Sequence, residues 1–91
     1  MHYKHEYGEE LEELLIKVSK NKKLLKEFLF DLLSPAEYKD LAVRWQIVKL
    51  LDKNVSHRDI ATKLKVSVAT VTRGSRELTN KKGGFKKALS L

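Results

Sequence analysis

The chain is 91 residues long, has no cysteine and carries a formal net charge of +7, which bounds it to one small domain and excludes disulfides and thiolate metal sites. Its histidines, His2, His5 and His57, have no spacing that builds a metal centre, so no metal is expected. No apolar run reaches the length of a membrane span and the opening MHYKHEYGEE is too polar for a signal peptide, so the expectation is a cytoplasmic protein with no membrane contact.

The charge is distributed unevenly. Residues 1–34 hold six lysines against seven carboxylates, net −1, whereas residues 35–91 hold thirteen Lys or Arg against five carboxylates, net +8. A surface that neutralises phosphates explains such a segregated excess, because each contact releases condensed counterions. A lysine-rich solvated face is the plainer alternative.

In chain order, residues 8 to about 21 carry Leu11, Leu14, Leu15 and Val18 on one stripe, with Glu9, Glu10, Glu12 and Glu13 where a helix dipole favours acids. This predicts an amphipathic helix. After the polar break at residues 19–23, the segment Leu24 to Leu33 is apolar on most sides and calls for burial, either in a tight monomer core or between two copies. A chain this short has a marginal core of its own, so a homodimer is expected. Ser34-Pro35-Ala36-Glu37 is a helix start, with Ser34 as N-cap, proline at the first position and Glu37 closing a capping box. The third helix then runs to about Asp52 through Leu41, Trp45, Ile47, Val48 and Leu51, and Asn54 ends it in a left-handed conformation.

Residues 56–78 predict a helix-turn-helix. Ile60, Ala61 and Leu64 share the inner face of its first helix, Ser56 with Asp59 three residues on marks the start, and small Ala61 lets the two helices approach. Val66 plugs the turn. Lys65 stands where such turns usually place a glycine, and the left-handed conformation there costs about 1 kcal/mol. Ser67 caps the second helix, whose inward residues are read as Val68, Val71 and Leu78, leaving Ala69, Thr70, Thr72, Arg73 and Arg76 to face a groove. A hinge at Asn80 to Gly84 precedes a short helix from Phe85 to Leu91. The expected fold class is all-α, five to six short helices with a helix-turn-helix.

On LLSPAEYKDLAVRWQIVKLL at residues 32–51 and SHRDIATKLKVSVATVTRGSREL at residues 56–78, which contains an A-T-[IV]-T-R-G-S signature at 69–75, the chain resembles the tryptophan repressor family. The resemblance implies a single domain over residues 1–91, with dimerisation-core helices in 1–54, the helix-turn-helix in 56–78 and a C-terminal tail or short helix in 79–91. It implies an intertwined homodimer whose two reading heads enter successive major grooves of a double-stranded operator. For DNA contact it implies Arg58 as a bidentate guanine reader, with Val68, Ala69 and Thr72 at the start of the recognition helix and His57 and Arg76 beside them.

The resemblance also implies L-tryptophan as corepressor. Arg44 and Arg73 would sandwich the indole, and Arg73 would take the ligand carboxylate, chemistry that suits a planar guanidinium. Ser34 stands where the family has threonine at the helix start, and Thr70 and Gly74 would line the pocket. Where the family's repressor has a small hydroxyl residue, this chain has Glu77, which either accepts the ligand ammonium or pairs with Arg73 one turn away. Asp31 puts a further acid at the pocket edge.

The functional expectation is a DNA-binding transcriptional regulator, a repressor responsive to L-tryptophan or a related aromatic amino acid. The alternatives are a ligand-independent regulator or a sigma-factor-like helix-turn-helix. From another class, a chorismate-mutase-like helical enzyme would need arginines on its first helix, and none occurs before Arg44, so no enzyme is expected.

Overall fold

Side-chain caps mark where four of the six helices among the described residues begin. The computed structural model describes residues 5–91; residues 1–4, His2 among them, lie outside the described residues. Six helices occur among the described residues, and no strand: α1 Gly8–Val18, α2 Lys22–Leu32, α3 Pro35–Asp52, α4 His57–Leu64, α5 Val68–Leu78 and α6 Gly84–Leu89. The all-helical fold class expected from the sequence is the one observed.

The capping box at Ser34 forms in both directions. The Glu37 backbone N–H donates to Ser34 Oγ at 3.1 Å, and the Ser34 N–H donates to Glu37 Oε1 at 2.8 Å. That backbone donor, followed by the Ser34 side chain, holds the Glu37 carboxyl below its ordinary range. Asn21 caps α2 by accepting from the Leu24 N–H at 3.1 Å, so this helix starts two residues before the expected Leu24. The cap was readable in principle, since asparagine precedes the apolar run. Helix α1 ends at Val18 rather than near residue 21, and α6 spans Gly84–Leu89 rather than 85–91.

The chain forms two compact units, one ending at Tyr38 and one running Lys39–Leu91. In the first unit Val18 is the buried residue of α1, whereas α2 has none. Leu25, Phe28, Leu29 and Leu33 are half-buried, while Leu11, Leu14, Ile16, Leu24, Phe30 and Leu32 stand exposed. Phe30 stacks on Tyr38 with ring centroids 5.2 Å apart.

In the second unit Ile47 of α3, Ile60 and Ala61 of α4 and Val71 of α5 form the core, with Val43, Leu50, Leu51, Val55, Leu64 and Val66 packed around it. Ile60 and Val71 are wholly removed from solvent. Burial of such side chains stabilises a fold by about 1.5–3 kcal/mol each, so four converging residues are what holds the helix-turn-helix on α3. One expectation is corrected here. Val68 is not inward: it continues the three- and four-residue spacing of Val71, Gly74 and Leu78, but as the first residue of α5 it lies outside the packed stretch, which begins at Val71, and is 49% exposed.

Candidate nucleic-acid interface

Three residues make the turn between α4 and α5. Lys65 adopts the left-handed conformation at φ 58° and ψ 46°, and with the chain reversed there the Val66 N–H reaches back to the Ala61 carbonyl at 3.0 Å. This is the conformation the sequence demanded of a lysine in a position that favours glycine. Ser67 follows at once, extended, its Oγ accepting from the Thr70 N–H at 3.1 Å. On the other side of the turn, Ser56 Oγ accepts from the Asp59 N–H at 3.1 Å. Both helices are thus capped at their first turn by serine hydroxyls, which fixes the start of each relative to the shared core.

Exposed side chains lie on both capped helices. Arg58 on α4 is exposed, as are Val68, Ala69, Thr70, Thr72, Arg73 and Arg76 on α5. Opposite them, Val71, Gly74 and Leu78 are buried. His57, the first residue of α4, is half-buried, and its Nδ1 lies 3.4 Å from Thr72 Oγ1, linking the two helices. Thr70 spends its hydroxyl locally, 2.9 Å from Ser67 Oγ.

The residues expected to hold a corepressor take separate roles. Arg44 and Arg73 are exposed, and the only ion pair among the described residues joins Lys86 Nζ to Asp52 Oδ1 at 3.6 Å. Arg73 and Glu77, one turn apart on α5, therefore do not pair, and Arg44 pairs with neither Asp40 nor Asp52. Both guanidiniums have their donors free of protein carboxylates. Ser34 Oγ is an acceptor in its capping box but keeps a hydroxyl proton to donate. Asp31 is exposed. Gly74 is buried and meets the α3 side chains of Ile47 and Leu51, so its position is one of close helix approach.

An open groove of about 570 Å³ lies where α3 ends, α4 begins and α5 runs out, lined among others by Leu51, Val55, His57, Leu78, Lys81 and Lys86. Of these only His57 was singled out in the sequence as a contact residue, Leu51 and Leu78 being read there as helix-face residues. The two lysines were visible as part of the basic tail, but nothing in their spacing brought them to the start of α4. Among the described residues no group of three or more His, Asp or Glu is placed to hold a metal ion, and no helix is long and apolar enough to cross a membrane.

Comparison with known proteins bears on the same segment. The family model described as Trp repressor protein matches residues 9–91. A Trp operon repressor homolog of Actinobacillus succinogenes is 53% identical over 53 residues, covering 57% of this chain and 52% of that one. One of Chlamydia trachomatis serovar L2 is 40% identical over 68 residues, 74% of this chain and 72% of the relative. A third, from Haemophilus influenzae strain PittEE, is 40% identical over 62 residues, 67% and 61% of the two chains. The chain thus spans about half the length of the first of these relatives. No solved structure gives a significant match.

Proposed function

The chain belongs to the Trp repressor protein family, and from that premise we propose that it is a DNA-binding transcriptional repressor that reads a double-stranded operator as a homodimer and responds to L-tryptophan. The observation that carries the reading is the outward face of α4 and α5. Its serine-capped helices present Arg58, Thr72, Arg73 and Arg76 to solvent while their opposite sides are committed to the core. In this reading Arg58 takes a guanine edge, Val68 and Ala69 meet thymine methyls and sugars, and Thr72, His57 and Arg76 approach phosphates.

The corepressor set is Ser34, Arg44, Thr70, Arg73, Gly74 and Glu77, with the two guanidiniums stacking on the indole and Arg73 holding the carboxylate. Two things support it. Neither arginine is engaged by a carboxylate of the described chain, and Glu77 is likewise free to receive an ammonium. Gly74 contributes by letting α5 lie close on α3. Residues 1–54 supply the dimerisation core, 56–78 the reading head and 79–91 the tail of a single domain. The exposed leucines of α1 and α2 support dimerisation, because a single copy leaves them in water. The family is regulatory and not enzymatic, and an address in the cytoplasm, with the DNA, follows from the reading.

The test is selection from a random-sequence duplex pool by the full chain, with and without L-tryptophan. Enrichment of a palindromic site, stronger with the amino acid, is the expected outcome. Enrichment that ignores it leaves a ligand-independent regulator, and no enrichment at all removes the repressor reading.

A further inference from the structure

Thr72 lies on the exposed face of α5, and the 3.4 Å contact between its Oγ1 and His57 Nδ1 is the side-chain hydrogen bond that ties that face to α4. His57 is also the more enclosed partner: its neighbours Arg58 and Asp59 are exposed, whereas its ring is half-buried on the groove shared with Lys81 and Lys86. We infer that His57 is a positioning residue for the Thr72 hydroxyl, and that binding of this face to a polyanionic duplex takes up a proton at His57. The inference rests on the DNA-binding reading above.

The chemistry follows from the donor inventory. A neutral imidazole with its proton on Nε2 offers Nδ1 as an acceptor, so the Thr72 O–H donates inward and presents only lone pairs to an approaching phosphate. In the imidazolium both ring nitrogens donate. Nδ1–H then donates to Thr72 Oγ1, and the hydroxyl proton is released to donate to a phosphate oxygen. His57 sits in the first turn of α4 beside Arg58 and shares its groove with Lys81 and Lys86, while Arg73 and Arg76 share α5 with Thr72. Of the carboxylates on the same elements, Asp52 at the end of α3 is taken by Lys86, while Asp59 on α4 and Glu77 on α5 have no ion-pair partner among the described residues. A duplex adds the missing negative charge, and histidine is the side chain whose charge changes between pH 5 and 8.

The test is equilibrium binding of the full chain to a labelled 30-base-pair duplex between pH 6 and pH 8 at fixed ionic strength, alongside thermal unfolding at the same pH values. The variants are His57→Asn, whose amide reaches the Nδ1 position without titrating, Thr72→Val, which is exposed and keeps its shape, and the control His2→Gln/His5→Gln. Wild type is expected to bind about fivefold tighter at pH 6 than at pH 8, within the tenfold per pH unit that uptake of one proton allows. That dependence should vanish in His57→Asn, shrink in Thr72→Val and persist in the control. Should His57→Asn fold poorly, Thr72→Val reads the same coupling. A flat wild-type profile, or an undiminished slope in both His57→Asn and Thr72→Val, overturns the inference while the DNA-binding reading stands. Failure to bind duplex at any pH sinks that reading, and the inference with it.

Discussion

A Cβ added at Gly74 would lie 2.9 Å from Cγ2 of Ile47, closer than real carbon atoms approach. Both residues are buried, Ile47 at 2% exposure, so neither has room to withdraw. In an exposed helix interior Gly→Ala gains about 1 kcal/mol. Here overpacking reverses the sign, and Gly74→Ala should lower stability by about 1–3 kcal/mol. Urea unfolding measures it, and an unchanged or raised midpoint would mean that α5 sits further from α3 than described.

Lys65 offers the opposite case. It holds φ 58° in the turn of the reading head, a conformation unfavourable for a residue with a Cβ, and its ammonium has no ion-pair partner among the described residues. Lys65→Gly should stabilise the chain by up to about 1 kcal/mol after the greater freedom of the unfolded glycine is discounted. The same unfolding experiment tests this. A loss would show that the lysine contributes more than its backbone strain costs.

Arg58→Ala should weaken binding to the selected operator by about 1–3 kcal/mol and to random duplex much less, since a bidentate base contact carries discrimination and a phosphate contact does not. Parallel titrations on the two duplexes decide the matter, and equal losses assign Arg58 to the backbone.

Leu11, Leu14, Ile16, Leu24, Phe30 and Leu32 are all at least 40% exposed in one copy of the chain. Sedimentation at micromolar concentration should therefore give a mass near twice 10.5 kDa. Phe30→Lys, which puts a charge at a 54% exposed site on α2, should shift the mass toward that of a single chain. A wild-type monomer would undercut two-headed reading of an operator.

Because Arg73 and Glu77 do not pair, L-tryptophan should bind and raise operator affinity by about 1–3 kcal/mol, the usual size of coupling between two sites. Indole-3-propionate, lacking the ammonium that Glu77 would receive, should bind more weakly. Calorimetry on wild type and Glu77→Ser separates the outcomes: a response gained only in the variant shows Glu77 occupying Arg73 in solution, and no heat from either protein removes the corepressor.

Helix starts and the reading head were legible in the chain because their causes are local. Ser34, Ser56 and Ser67 each satisfy an N–H three residues away, and the left-handed Asn54 and Lys65 follow from where those helices must stop and restart. Such contacts depend on a few consecutive residues, so residue types in order suffice to predict them. Which way a side chain faces is a different matter. Val68 fits an apolar inner stripe as well as Val71 does, and only the crossing of α5 over α3 puts Val71 in the core, Val68 in solvent and Gly74 against Ile47. Likewise, nothing in the fourteen residues between them aligns His57 with Thr72, and an Arg-Glu pair at helical spacing was free to close or stay open. Tertiary structure decided these because they turn on distances between elements, which are set by how the core packs and not by any local pattern.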